Sequence, residues 1–327
     1  MCIRDRANTA VPTVSAIISA GAIPRFVDID PATYLMDTAQ LEPALTPKSS
    51  CILPVHLYGQ CVNMTAVEAI AHRHSLPVLE DCAQAHGARF QGKVAGSMSD
   101  AAAFSFDAEK TMGSDIGGCV VTNDEGLAER VRVIGQGRGV TGSRTGFGRI
   151  HSLPGYAYRM PGCTAAICLA QLEIIRPQVV QRDRMIRLLT ELLAEIPGIQ
   201  PLSIPDFMNV YSAWMCSFSI DPEQFRSSSD EFARQLVAAG IPGAGTGRYY
   251  LMAAGSTFLQ KNAREKSFPY SVPPASRQYH YGPDSCPVAW EFLQTWIRWS
   301  TFCEKYTEDD CYRAREMVAK VAERNRR

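Results

Sequence analysis

The sequence predicts an α/β protein with a mostly parallel sheet, helices on both faces and a smaller C-terminal α/β domain. Two observations predict it. Short β-like runs alternate with helical patterns through the first half, joined by short connections. From about Ile199 that rhythm gives way to a looser mixture, with a Gly-, Pro- and Tyr-rich stretch over 240–288.

Taken in order, Ile23–Asp30 reads as a strand, as does Cys51–Tyr58, which Gly59 closes. A helix follows from about Met64 to His74, with Val67, Ile70 and Ala71 at helical spacing. Leu76–Asp81, Ala101–Phe106 and Cys119–Thr122 are the next strands, and Asn123-Asp124-Glu125 caps a helix reaching about Ile134. Residues 135–162 form a loop rich in glycine and arginine. Its GQGRG follows a helix rather than a strand, so it is no dinucleotide fingerprint, which argues against a Rossmann dehydrogenase. Residues 163–195 form one long helical stretch with Pro177 as the expected break. Ala213–Ile220 is strand-like, Ser229–Ala239 is helical behind a Ser-Asp cap, and Thr307 caps a final helix.

The composition is that of a globular protein: 327 residues, 46% hydrophobic and 20% charged. Lys plus Arg and Asp plus Glu are 33 each, so no basic excess points to nucleic acid or an anionic membrane surface. No apolar run approaches a membrane span, and Met1–Arg6 is too charged for a secretory signal. Eleven cysteines occur without a CxxC pair, which predicts no zinc site and reduced thiols in a cytoplasmic protein.

In parallel sheets ligands gather at the C-terminal strand ends. Asp81 ends one predicted strand, Ser105 ends another, and Lys110 follows in SFDAEKTMGSDIGG (105–118), so all three share one rim. Each residue alone has an ordinary reading: a solvated loop lysine, a helix-capping aspartate, a serine bonded to main chain. His56 reads as a satisfied core histidine. Together they suit a pyridoxal phosphate cofactor. That group needs a lysine amine for its aldehyde, an acid at its ring nitrogen and donors for its phosphate. Lys110, Asp81 and Ser105 fill those roles, and Gln84 can bond the phenolic oxygen.

The chain resembles the sugar aminotransferases of the DegT/DnrJ/StrS family, pyridoxal phosphate enzymes of the aspartate aminotransferase (type I) fold. The matching stretches are Ala7-Asn8-Thr9, FVDID (26–30), PVHLYGQ (54–60), EDCAQAHGA (80–88), SFDAEK (105–110), GGCVVTND (117–124), YRMPG (158–162) and EKYTEDD (304–310). They occur in the family's order along nearly the whole chain. The resemblance implies a covalent cofactor link at Lys110, a pyridine-nitrogen contact at Asp81, a phenolic-oxygen contact at Gln84 and a phosphate contact at Ser105. It implies a homodimer with shared active sites, and transfer of an amino group from glutamate or glutamine to a nucleotide-linked keto-sugar. Such reactions serve amino-sugar, cell-surface polysaccharide or secondary-metabolite biosynthesis.

The sequence departs from the pattern at several points. The resemblance implies a further segment ahead of Ala7, bearing a Gly-Thr phosphate turn, so the chain is read as truncated at its N-terminus. Residues 1–6 match nothing in the family and are read as a non-native scar without strand character. The expected domains are 7–180, binding the cofactor, and 181–327. Ala157 stands where an asparagine reaches the neighbouring subunit's phosphate, and Ala10 stands where an aromatic ring stacks. Arg159, Arg248, Tyr249 and His280, the last within Tyr279-His280-Tyr281, are the substrate-side candidates. A sugar dehydratase, in which histidine replaces the lysine, is disfavoured by Lys110. The alternative of another class is a non-catalytic or degenerate relative.

Overall fold

A computed structural model describes residues 2–6, 9–136, 140–141, 149–150, 155–247, 250–273, 275 and 278–327. The chain opens with β1 (Cys2–Arg6), α1 (Val11–Ser19), β2 (Ile23–Val27), α2 (Thr38–Ala44), β3 (Ser49–Leu53), α3 (Met64–Arg73) and β4 (Leu79–Asp81). A small hairpin, β5 (Arg89–Phe90) and β6 (Lys93–Val94), precedes β7 (Ala101–Ser105), β8 (Gly118–Val121) and α4 (Glu125–Gln136). β1 lies between β2 and β3, parallel to both. β4 pairs parallel with β7, and β8 closes that edge antiparallel. Parallel bridges at Ile52–Val78 and Val55–Asp81 join the two groups into one sheet.

Around β3 both faces of this sheet are buried. Ile52 packs into one apolar cluster with Val67 and Ile70, whereas its neighbour Leu53 packs into another with Ile17 and Val55. Strand alternation requires that split, and a strand buried on two sides is the mark of a crossover sheet.

The rest comprises a two-stranded ribbon, β9 (Val140–Thr141) with β10 (Arg149–Ile150), then α5 (Gly162–Ala194), β11 (Ile199–Pro201), β12 (Met208–Val210) and β13 (Cys216–Ile220). After these come α6 (Ser229–Ala239), β14 (Ala244–Gly245), α7 (Met252–Gly255), α8 (Thr257–Glu265), α9 (Pro287–Thr295), β15 (Trp296–Trp299) and α10 (Glu308–Arg324). A second sheet runs β11-β13-β15-β14, antiparallel throughout. The expected caps are present: Ser228 accepts from the Glu231 N–H, and Thr307 forms a capping box with Asp310.

The structure corrects the sequence reading in three places. Cys2–Arg6, expected to have no strand character, is a middle strand; main-chain ladders on both sides hold it whatever its side chains prefer. Pro177 does not break α5. Pro177 and Glu173, whose carbonyl loses its helical partner, are both exposed, so water can take the bond. The second half of α5 buries Met185, Ile186 and Leu189, while its first half leaves Ile167, Leu169 and Leu172 exposed. α5 is also long and apolar enough to cross a membrane, with a mean hydropathy of 1.3 over 18 residues, which the run lengths did not suggest.

Candidate active site

β4 and β7 run side by side with Asp81 opposite Ala103, so Asp81 and Ser105 emerge on one rim. A turn then returns the chain. The Asp107 N–H donates to Ser105 Oγ (3.3 Å) and the Lys110 N–H donates to the Asp107 carbonyl (3.0 Å). The rim opens on a cavity of about 260 Å³ whose walls include Thr9, Thr13, Asp81, Gln84, Ser105 and Lys110. The four residues assigned to the cofactor from sequence thus line one cavity.

Asp81 is held from four directions. Its N–H donates to the Pro54 carbonyl and its carbonyl accepts from the His56 N–H, both at 2.9 Å. Its Oδ1 accepts from the Ala83 N–H (3.0 Å) and its Oδ2 from Thr13 Oγ1 (2.7 Å). Gln84 Oε1 accepts from the Tyr58 N–H at 2.8 Å, which leaves the Nε2 hydrogens as its donors to a ligand. The Lys110 ammonium sits 4.3 Å from the centre of the Trp214 ring. Burial lowers the Lys110 pKa, against the opposing pull of Asp107, Asp81 and Glu109. The neutral, nucleophilic amine is therefore more accessible than in a solvated lysine. Trp214 is itself fixed, since its indole N–H donates to the Glu109 carbonyl at 2.7 Å.

His56 is a satisfied core histidine. The Val62 N–H donates to its Nδ1 (3.2 Å), so Nε2 carries the hydrogen that meets Glu80 Oε2 (2.9 Å). His56, Glu80 and Cys82 bring their ligand atoms within 4.8 Å of one another. They do not suit a cation: both imidazole nitrogens are engaged, and burial pushes the Cys82 thiol well up. His86 is buried beside Phe104 and Phe106, and that burial takes it down to about 4.

Of the described substrate-side candidates, Arg159 and His280 do not line this cavity. Arg159 is exposed on a loop. His280 is exposed and paired with Asp284 at 2.9 Å. Its neighbours Tyr279 and Tyr281 are buried around Tyr270 instead of lining a cleft. Arg248 and Tyr249 lie outside the described residues. Ala157 is exposed, and Ala10 lines the cavity wall. Sequence reasoning missed Thr13 and Trp214. Thr13 falls in the first turn of α1, and its local pattern carries no signal for this role. Nothing local marks Trp214.

The profile described as the DegT/DnrJ/EryC1/StrS aminotransferase family matches residues 6–281. The chain is 46% identical over 177 residues to dTDP-3-amino-3,4,6-trideoxy-alpha-D-glucose transaminase of Micromonospora megalomicea subsp. nigra, covering 54% of this chain and 44% of that protein. It is 34% identical over 233 residues to GDP-perosamine synthase of Caulobacter vibrioides, covering 71% of this chain and 62% of the relative. The chain thus spans about half of these relatives' length. Its structure is similar to that of DesV from S. venezuelae, solved in complex with a ketimine intermediate. The TM-score is 0.79 with 27% identity, over 98% of this chain and 78% of the other.

Proposed function

The chain belongs to the DegT/DnrJ/EryC1/StrS aminotransferase family, and on that premise we propose that it is a pyridoxal phosphate-dependent aminotransferase. In this reading it moves an amino group from glutamate or glutamine to a nucleotide-linked keto-sugar, in a cytoplasmic pathway of amino-sugar, polysaccharide or secondary-metabolite synthesis. One observation carries it: Lys110, Asp81, Gln84 and Ser105 line a single cavity, and burial lowers the pKa of the lysine there. The similarity to a dTDP-sugar transaminase supports the nucleotide-sugar class.

The donor set fits the cofactor. When bound, pyridoxal phosphate supplies an aldehyde and an electron-accepting ring. Asp81 is the acceptor for the ring nitrogen's proton, and both of its oxygens are already steered by donors. Gln84 would offer amide hydrogens to the phenolic oxygen, and Ser105, at the end of β7 on the same cavity, would offer its hydroxyl to the phosphate. Lys110 Nζ, uncharged at a lower pH than a solvated amine, holds the cofactor and then takes and returns the proton of the donor's α-carbon.

A homodimer belongs to the same proposal. The exposed apolar residues Ile167, Leu169 and Leu172 of α5 and Val120 and Val121 of β8 favour association over solvation. The test is to add pyridoxal 5′-phosphate, reduce with borohydride and map the labelled peptide. Amino transfer from glutamate or glutamine to dTDP- or GDP-linked keto-sugars is then measured. Label on Lys110 with transfer is the expected result. Label without transfer to any such sugar favours a binding-only relative, and a label elsewhere overturns the assignment.

A further inference from the structure

We propose that Thr13 is a positioning residue for the Asp81 carboxylate, with Thr9 setting the direction of its hydroxyl; the inference rests on the cofactor reading above. Thr9 Oγ1 donates to Thr13 Oγ1 at 3.1 Å, and Thr13 Oγ1 donates to Asp81 Oδ2 at 2.7 Å. A hydroxyl has one hydrogen to give. With Thr9 occupying a lone pair, the Thr13 hydrogen is committed to the carboxylate. The relay is anchored at its far end, because the Thr9 N–H donates to the Tyr250 carbonyl at 3.0 Å. Thr9 and Thr13 are both buried, so bulk water does not compete for these bonds.

The relay removes the last freedom Asp81 has. Its main chain is already locked between Pro54 and His56. What remains is rotation of the side chain about Cα–Cβ and Cβ–Cγ. The Ala83 N–H restrains one oxygen, and Thr13 restrains the other. With both held, the unused lone pairs keep a fixed bearing toward the cavity that Thr9, Thr13 and Asp81 share with Lys110. A carboxylate held this way keeps the ring nitrogen protonated, and that protonation makes the ring an electron sink. Thr13 touches neither cofactor nor substrate in this scheme; it acts through Asp81.

The test compares wild type, Thr13→Val and Thr13→Ser, each loaded with pyridoxal 5′-phosphate labelled with nitrogen-15 in its ring. Valine matches threonine in shape and lacks the hydroxyl; serine restores the hydroxyl alone. In Thr13→Val the nitrogen-15 signal should move toward the unprotonated position. The kcat for amino transfer from glutamate should fall about 10- to 100-fold, as for losses of residues that orient a functional group, with KM changed far less. Thr13→Ser should return both readouts close to wild type. Thr13→Ala repeats the experiment if the valine variant does not yield folded protein. A valine variant with the wild-type nitrogen signal and kcat overturns the proposal, and so does a serine variant as impaired as valine, which would assign the effect to packing. Wild-type protein that forms no borohydride-reducible adduct at Lys110 overturns the cofactor reading, and this proposal with it.

Discussion

Glu80→Gln tests whether the carboxylate beside Asp81 is a structural keystone. Glu80 is fully buried and accepts four bonds. Oε1 takes the Met98 N–H (2.9 Å) and Ser99 Oγ (2.8 Å); Oε2 takes His56 Nε2 (2.9 Å) and the Gly96 N–H (2.8 Å). Glutamine is almost isosteric but must place an NH₂ group at one of those positions. Ser99 can turn its hydroxyl and accept. The Met98 and Gly96 amides cannot, and His56 cannot while Val62 occupies its Nδ1. Either orientation sets at least one fixed N–H against another donor. An orphaned buried donor costs about 1–3 kcal/mol, and bonds to a charged acceptor are worth about 1.5–3 kcal/mol each. The expected loss is about 3–5 kcal/mol, read by urea unfolding near neutral pH as a lower midpoint with unchanged slope. The pH dependence gives a second check. Burial opposes ionisation of Glu80, but the bonds from His56, Gly96 and Ser99 outweigh it, and its pKa in the folded protein lies below the ordinary value. Such a group stabilises above its unfolded pKa, about 4.3, and that contribution disappears as pH falls through the folded value. The gap between wild type and variant should therefore narrow in acid. A loss under about 1 kcal/mol, or a gap that persists unchanged in acid, would refute the reasoning.

The other predictions can be read from single variants. Asp28→Asn should cost about 1–3 kcal/mol in thermal melting. At the start of α9, Asp28 Oδ2 accepts from the Val288 N–H (2.9 Å) and Oδ1 from the Ala289 N–H (3.0 Å), and Oδ1 also takes the Ile29 N–H (2.8 Å); an amide has only one oxygen to accept with, and an unchanged melting curve contradicts this. Lys110 should react with an amine-selective reagent at lower pH than exposed Lys93, because burial lowers its pKa; identical pH profiles by peptide mass spectrometry would oppose that. Trp214→Leu removes the ring that favours the ammonium, so the Lys110 profile should move to still lower pH, and a move to higher pH counts against the cation–π contact. Asp81→Asn should leave cofactor binding measurable while slowing amino transfer about 10²- to 10⁴-fold; a variant as fast as wild type removes Asp81 from its role.

The elements that were legible in the sequence are those whose cause is local. Ser229–Ala239 and the helix behind Thr307 announce themselves by caps, and α3 by apolar residues at helical spacing. Asp81 and Ser105 share a rim because both end strands of a parallel pair, and strand ends can be read from a run and its stop. Cys2–Arg6 was illegible for the opposite reason: its place depends on ladders to Ile23–Val27 and Ser49–Leu53, not on its own pattern. His280 was misjudged because an aromatic run looks alike whether it lines a cleft or fills a core. Here Tyr279 and Tyr281 turn inward, and His280 between them turns out.

The same contrast explains why half of the site's support was invisible. Gln84 is legible within EDCAQAHGA, but its orientation depends on the turn at 57–59, where its Oε1 receives the Tyr58 N–H. That turn holds Tyr58 at φ 59°, a conformation costly for a tyrosine, so the surroundings must enforce it. They do so from the far half of the chain. The Trp214 N–H donates to the Tyr58 carbonyl (3.1 Å), and Gly59 lies so close to Ser212 that a Cβ would stand 1.9 Å from its carbonyl oxygen. The same Trp214 carries the Lys110 ammonium on its ring. One short segment, 212–214, therefore braces both the Gln84 turn and the lysine. If that bracing is what aligns them, Gly59→Ala should disturb Gln84 and Lys110 together, weakening cofactor retention and shifting the Lys110 pH profile in one stroke. A variant that loses one and keeps the other would show that the two groups are held independently.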